Sequence, residues 1–105
     1  MSRWWPFPRR ERVRVDLDPS QLVTVHFLLR YKAAPENKIY DEVAATTWID
    51  RGDFLRLLVD LVSRGIVEPH PQPETQETWF VLTDLGKRLR GKIPRESKAA
   101  IAVYV

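Results

Sequence analysis

The chain has 105 residues, of which 44% are apolar and 30% charged, and its formal net charge is +3. This length and composition predict one globular domain with a single modest core and exclude a wholly disordered chain. The absence of cysteine excludes disulfides and thiolate metal sites, and the apolar runs are shorter than the roughly 18 residues of a membrane span. We identify no signal-peptide pattern and expect a cytoplasmic protein.

The charge is distributed unevenly along the sequence. Residues 1–18 carry five arginines against three acidic residues, and residues 84–105 carry six basic residues against two acidic ones. Residues 19–83 carry nine acidic and six basic residues. Nucleic-acid binders usually concentrate positive charge on the element that meets the phosphates. Here the positive charge lies at the two ends of the sequence.

The sequence divides into an arm with a short strand (1–18), a folded domain (19–92) and a tail (93–105). The arm contains an aromatic and basic run, residues 4–10, whose two prolines are incompatible with a helix interior. Polar and apolar residues alternate over 12–17, which predicts a strand. The apolar residues 99–105 predict a second strand, paired with the first or with a partner.

Helices are predicted from caps and from the spacing of apolar residues. Asp18 and Pro19 begin a first helix that extends to about Lys32. A turn at 34–38 precedes a short second helix over 39–46. Asp50 caps a third helix, which Gly65 ends. The core stripe of this third helix, at i, i+3, i+4 and i+7 spacing, is Phe54, Leu57, Leu58 and Leu61.

A β-hairpin is predicted next, in which residues 66–68 pair with 78–82 around a loop at 69–76. Thr83 caps a last helix that extends to about Lys92, and Pro94 prevents further helix. Three helices followed by a hairpin and another helix predict an α+β fold. We predict a small winged helix-turn-helix with a three-helix core, a β-hairpin wing and short terminal strands.

The segment 18–89 resembles the winged-helix core of the multiple-antibiotic-resistance-regulator (MarR) type transcription factors. The matching stretches are Asp18-Pro19-Ser20-Gln21, Ile49-Asp50-Arg51, Arg56-Leu57, Leu61, Arg64-Gly65-Ile66-Val67-Glu68 and Leu82-Thr83-Asp84-Leu85-Gly86. The resemblance implies a DNA-binding transcriptional regulator with its third helix in the major groove and its wing at the neighbouring minor groove. It also implies a homodimer, although Pro94 shortens the helix from which the long dimerisation helices of the family extend.

The candidate DNA contacts are all arginines and lysines. Arg51 and Arg56, at the start of the third helix, are the candidate groove contacts. An ion pair between Arg56 and Asp60, four residues apart, is the alternative for Arg56. Residues 70–77, at the wing loop, include two glutamates and no lysine or arginine, so the loop would repel phosphates. Phosphate contacts are expected from the basic ends, at Arg9, Arg10, Arg12, Lys87, Arg88 and Arg90.

An alternative function is a winged helix that binds or assembles with proteins and does not bind DNA. Its candidate contacts are Trp4, Trp5, Leu55, Val59 and Val62. Burial statistics favour a simpler interpretation of the stripe at 55, 59 and 62, as core covered by a terminal strand. Trp48, in the turn before the third helix, is interpreted as a packing residue.

The aromatic arm at 4–10 has three interpretations. Tryptophan and arginine suit a membrane surface, and they also suit nucleic acid through phosphate contacts and stacking. A cover over exposed apolar surface is favoured slightly over both.

No catalytic pattern is present. His26 lies within an apolar helical stretch and His70 in the predicted loop, and neither has the spacing of a nucleophile triad or of a metal site. There is no glycine-rich phosphate loop. We predict neither an enzyme nor a cofactor, and we expect double-stranded DNA and a second copy of the chain as partners.

Overall fold

The computed structural model describes residues 13–94 and 97–105. The elements in chain order are β1 (Arg14–Leu17), α1 (Pro19–Tyr31), β2 (Ala33–Pro35), α2 (Glu36–Thr47), α3 (Arg51–Ser63), β3 (Val67–Gln72), β4 (Glu77–Leu82), α4 (Asp84–Lys87) and β5 (Ile101–Tyr104). An antiparallel three-stranded sheet has the order β2-β4-β3, and β1 pairs with β5 in a separate sheet. The predicted α+β winged-helix architecture is confirmed. None of the described helices combines the length and apolar character that crossing a membrane requires.

The predicted caps hold the helices in place. The Asp18 carboxylate accepts a hydrogen bond from the Gln21 N–H at 2.9 Å, and the Gln21 amide oxygen accepts one from the Asp18 N–H at 3.2 Å. This reciprocal pair fixes the start of α1. The Asp50 carboxylate accepts from the Asp53 N–H at 2.8 Å and starts α3 in the same way. At the other end of α3, Gly65 has φ +73°, the left-handed conformation that ends a helix.

The core lies where α1, α2 and α3 meet the three-stranded sheet. The predicted stripe of α3 is buried, and Phe54 and Leu61 are fully inaccessible. From α2, Ile39 and Val43 are fully buried. Gly86 of α4 packs so closely that an added Cβ would lie 2.9 Å from Leu82 Cδ2. The core therefore fixes α3 against the sheet and leaves its opposite face outward.

The segment between the first two helices differs from the prediction. Ala33–Pro35 forms β2 where a turn was predicted, and α2 begins at Glu36, three residues before the predicted start. Two alanines and a proline have little tendency to form a strand. They do so here because Ala33, Ala34 and Pro35 pair with residues 79–81 of β4, a contact that local sequence does not encode.

The wing is longer than predicted, and its loop is shorter. β3 continues through Pro69 and Pro71 to Gln72, so the connection to β4 spans only residues 73–76. Proline supplies no N–H to a ladder, so in sheets it is confined largely to edge strands. β3 is one of the two edge strands of the β2-β4-β3 sheet, and the prediction that the strand ends before Pro69 is wrong for this reason.

The C-terminal part also differs in part. Thr83 caps α4 as predicted, but α4 is one turn long and ends at Lys87, not near Lys92. The chain continues in turns, and Gly91 has φ +76°. β5 pairs antiparallel with β1, with Val103 opposite Val15. Of the two predicted partners for the tail, the structure therefore has the N-terminal strand.

Candidate nucleic-acid interface

The helix-turn-helix is formed by α2, a three-residue turn and α3. Trp48 ends α2 in the left-handed conformation, with φ 61° and ψ 25°, and its N–H donates to the Ala44 carbonyl. Its side chain is 90% exposed. The prediction that Trp48 is a packing residue is therefore wrong. The turn is held by backbone geometry and by the Asp50 cap, and it places the tryptophan in solvent at the N-terminal end of α3.

The outward face of α3 is partly apolar. Leu55 is 40% exposed and Val59 67% exposed, whereas Val62 is half-buried and packs against the core. The preferred interpretation of this stripe, core covered by a terminal strand, is wrong for Leu55 and Val59. The terminal strands β1 and β5 pair with each other in their own sheet. Among the described residues, these strands therefore leave the two side chains exposed.

Arg51 is engaged by α2. Its Nη2 donates to Glu36 Oε2 and to Asn37 Oδ1, each at 2.8 Å. The guanidinium carbon lies 4.9 Å from the centroid of the Tyr40 ring. These contacts join the first turns of α2 and α3, so a DNA contact by Arg51 would compete with three partners within the chain.

Arg56 projects into solvent. Its side chain is 83% exposed, and Nη1 donates to Asp53 Oδ1 at 2.8 Å. The alternative given for Arg56, an ion pair with Asp60, is not formed, because the Asp60 carboxylate has other donors. It accepts from Gln21 at 2.7 Å and from Arg64 at 2.6 Å. Exposed pairs such as that of Arg56 with Asp53 contribute about 0–1 kcal/mol, so Arg56 is readily released to another acceptor.

Arg64 has a structural role that the sequence patterns did not reveal. It donates to the Asp16 carbonyl, to Gln21 Oε1 at 3.1 Å and to Asp60 Oδ2 at 2.6 Å. These acceptors lie in β1, in α1 and in α3. The sequence offered one signal, an arginine just before the helix-ending glycine.

The wing is acidic. Strands β3 and β4 and their loop carry Glu68, Glu74 and Glu77, and they contain neither lysine nor arginine. His70 Nε2 lies 3.2 Å from Glu68 Oε2. A charge of this sign opposes contact with a phosphate backbone. The expected repulsion between the wing and the phosphates therefore applies to the whole hairpin as well as to its tip.

The C-terminal basic candidates lie in α4 and in the turns that follow it. Lys87, Arg88 and Arg90 are exposed. Lys87 and Arg90 line an open groove of about 910 Å³ with Lys32, which follows α1, and with His70 of the wing. The sequence patterns did not single out Lys32, which contributes a positive charge to this surface groove. Arg9, Arg10, Arg12, Trp4 and Trp5 lie outside the described residues.

The described residues form no metal-binding cluster. Within 13–94 and 97–105, no three His, Asp or Glu side chains lie together in a way that could hold a metal ion. His26 Nε2 lies 2.6 Å from the Pro94 carbonyl. That contact joins α1 to the chain after α4 and gives His26 a structural role.

Comparison with known proteins gives matches at the level of structure. No family model and no curated protein sequence matches this chain. The PcaV transcriptional regulator from Streptomyces coelicolor matches with a TM-score of 0.59 and 20% identity, over 67% of this chain and 49% of that one. A mutant MarR from E. coli in complex with operator DNA matches with a TM-score of 0.58 and 22% identity, over 67% and 48%. The transcriptional regulator PA4135 matches with a TM-score of 0.59 and 21% identity, over 70% and 52%.

The chain thus spans about half the length of these solved structures. PcaV and PA4135 are described as transcriptional regulators. At identities of 20–22%, these structural matches establish the fold and no more. The chain has the winged-helix fold of the MarR-type transcriptional regulators.

Proposed function

We propose that the chain is a DNA-binding transcriptional regulator that inserts α3 into a major groove. The observation that carries the proposal is the match to MarR in complex with operator DNA, at a TM-score of 0.58 over 67% of this chain. Supporting it, α3 has a buried face that fixes it to the core and an opposite face open to a partner. In helix-turn-helix proteins, this outward face meets the base edges.

Within the proposal, Arg56 contacts bases and Arg51 orients α3. Arg56 is exposed and held by one weak ion pair, and an arginine fork suits the O6 and N7 acceptors of guanine. Arg51 fixes the angle between α2 and α3 through Glu36 and Asn37. Phosphate contacts come from Lys87, Arg88 and Arg90 and from Arg9, Arg10 and Arg12 of the arm. The acidic wing makes no phosphate contact.

The proposal includes a homodimer in the cytoplasm. A dimer presents two copies of α3 to half-sites one helical turn apart, about 34–36 Å along the duplex. Sedimentation of the pure protein measures this part of the proposal independently of DNA.

The test is fluorescence anisotropy of a labelled duplex of random sequence, titrated with the protein at low and moderate salt. Binding that weakens steeply with salt supports the proposal, because phosphate contacts release counterions. With an operator in hand, Arg56→Ala is expected to lower specific affinity by about 5- to 100-fold, the equivalent of ~1–3 kcal/mol. Arg14→Ala is the matched control, since Arg14 is also exposed and paired with one aspartate, Asp16.

A second candidate function, a protein-binding or assembly module, is favoured by one observation. The outward face of α3 exposes Leu55 and Val59 and adjoins an acidic wing. Charge-depleted apolar surface is typical of protein contacts. Absence of DNA binding even at ~50 mM salt, where electrostatic association is strong, would overturn the regulator proposal in favour of this one.

A further inference from the structure

The turn between α2 and α3 contains a tryptophan at a position where glycine or asparagine would be less strained. Trp48 has φ 61° and ψ 25°, in the left-handed region that glycine adopts without strain and that is unfavourable for other L-residues. Such residues persist where the surrounding structure or a function requires them. The side chain of Trp48 therefore needs an explanation that the backbone does not supply.

The described part of the fold makes no use of the indole. Trp48 is 90% exposed, and it is not among the apolar residues that pack against the core, although its neighbour Ile49 is. Among the described residues, Trp48 is in none of the aromatic pairs or cation–π contacts. An indole combines an apolar face with an N–H donor, a combination that is enriched at interfaces. The ring is thus available to a partner.

The turn lies next to the helix that the proposed function inserts into the major groove. Asp50 caps α3 shortly after Trp48, and Arg56 follows Arg51 by about 7.5 Å along the helix axis. The major groove is ~12 Å wide. With Arg56 at the base edges, the turn before Arg51 would therefore lie near the rim of the groove, where the sugar-phosphate backbone passes.

The neighbouring elements have few cations to offer the DNA backbone at this rim. Residues 36–82, which form α2, α3 and the wing, contain nine acidic and four basic residues. Three of the four basic residues, Arg51, Arg56 and Arg64, are already paired with a carboxylate. A neutral side chain with an N–H can contact a sugar and donate to a phosphate oxygen without a positive charge, as tyrosine and asparagine do.

We propose that Trp48 is a DNA-contact residue. Its ring packs on a deoxyribose at the rim of the major groove, and its Nε1–H donates to an adjacent phosphate oxygen. The inference rests on the proposed function and deepens it, because it assigns to the turn a backbone contact that the acidic wing does not provide. A contact of this kind positions α3 on the duplex and reads no sequence.

The test compares Trp48→Gly with the wild type in the anisotropy titration, on two unrelated duplexes and over a range of salt. Glycine relieves the strained backbone, and thermal denaturation verifies that the variant is folded. Affinity is expected to fall by about 5- to 30-fold on both duplexes. The slope of log affinity against log salt is expected to stay unchanged, because the indole neutralises no phosphate. Tyr104→Ala, at an exposed aromatic residue of β5, is the matched control and is expected to bind as the wild type does.

Two further measurements identify the indole as the cause. Trp48→Asn also suits the left-handed conformation without the flexibility of glycine, and it is expected to lose as much affinity as Trp48→Gly. In the full chain labelled with 5-fluorotryptophan, the ¹⁹F resonance of Trp48 is identified by its absence in Trp48→Phe. It is expected to shift when unlabelled duplex is added, whereas the resonance of the half-buried Trp79 keeps its position.

Failure of this inference and failure of the proposed function give different results. No binding of the wild type to any duplex at ~50 mM salt would remove both. Binding by the wild type with unchanged affinity in Trp48→Gly would overturn only the role of Trp48. A loss confined to one duplex sequence would also overturn it, since the indole would then read a base. A Trp48 resonance that moves with protein concentration and not with duplex would do the same, since it would place the indole at a contact between copies.

Discussion

Arg64, at the C-terminal end of α3, joins three parts of the fold. Its guanidinium donates to Asp60, to Gln21 and to the backbone carbonyl of Asp16, and its side chain is 31% exposed. Gln21 is itself buried, at 5% exposure. The hydrogen bonds therefore connect the end of α3 to β1 and to the beginning of α1. At the beginning of α1, Gln21 also takes part in the reciprocal hydrogen bonds with Asp18.

Arg64→Ala is expected to lower the free energy of unfolding by about 1–3 kcal/mol, the range for hydrogen bonds to charged groups in partly buried positions. Urea denaturation followed by circular dichroism measures the change. Arg56→Ala is the matched control, because Arg56 is 83% exposed with one ion pair, and it is expected to change stability by less than about 0.5 kcal/mol. Equal losses for the two variants would contradict the structural role of Arg64.

Trp48 is a large apolar residue in an unfavourable position. It is 90% exposed and has a φ of 61°, a conformation that costs an L-residue about 1–2 kcal/mol. No sequence pattern reports that a tryptophan in a turn points outward. Its apolar character alone suggested packing, and the suggestion failed because the neighbouring Ile49 is the half-buried residue of the turn.

Trp48→Gly is expected to leave stability unchanged or to raise it by up to about 1 kcal/mol. Glycine relieves the left-handed strain, and the gain is offset in part by the ~0.5–1 kcal/mol of extra chain entropy that glycine loses on folding. Thermal denaturation measures the change. Trp79→Gly, at a half-buried position in β4, is expected to destabilise the protein. A loss above about 1 kcal/mol for Trp48→Gly would show that the exposed indole packs against something.

At the scale of elements, the β1–β5 sheet closes the fold with the two ends of the described chain. Val15 and Val103 face each other across the sheet and are both buried, at 3% and 8% exposure. Val105 and Val13 exchange backbone hydrogen bonds at 2.9 Å. The tail is therefore part of the core and does not serve only as an appendage to the winged helix.

Val103→Ala is expected to lower the free energy of unfolding by about 1–3 kcal/mol, because it removes two buried methyl groups and leaves a cavity. Tyr104→Ala is the neighbouring control. Tyr104 is 53% exposed, so its replacement is expected to cost less stability than that of Val103. Denaturant unfolding compares the two variants, and a larger loss at Tyr104 would contradict the assigned register of β5.

Elements marked by caps or by runs of apolar residues were predictable, and the strand segments that lack such residues and form only by pairing with β4 were not. Asp18, Asp50 and Thr83 each accept a backbone N–H three residues later, a requirement visible in the sequence itself. β2 and the second half of β3 exist because β4 lies between them. Alanine and proline at those positions give no strand signal, so only the tertiary arrangement explains them.

The candidate site was predictable to a lesser degree. The exposed position of Arg56 followed from the helical period, because the buried stripe of α3 fixes which face is outward. Its ion-pair partner did not follow, since Asp60 is drawn to Gln21, which lies 39 positions away in sequence at 2.7 Å. The hydrogen bonds from Arg51 to Glu36 and Asn37 could not be predicted either, because they depend on how α2 packs beside α3.

At the scale of the whole molecule, charge is separated between two regions. The part formed by α2, α3 and the wing is acidic, while α4 and the turns after it expose Lys87, Arg88 and Arg90. A duplex approaching α3 would therefore depend for its phosphate contacts on basic residues outside α2, α3 and the wing. That arrangement makes the electrostatic part of binding separable from the base contacts by mutation.

The triple variant Lys87→Ala, Arg88→Ala, Arg90→Ala is expected to weaken binding to all duplex sequences alike. The slope of log affinity against log salt should become shallower by about 0.9 for each phosphate that is no longer neutralised, or by up to about 3 in total. Arg56→Ala should leave that slope nearly unchanged while lowering preference for one sequence, and Arg14→Ala should alter neither. An unchanged slope in the triple variant would place the phosphate contacts elsewhere, with the arm arginines as the next candidates. A shallower slope would instead mean that Lys87, Arg88 and Arg90 supply phosphate contacts that the acidic part formed by α2, α3 and the wing cannot supply.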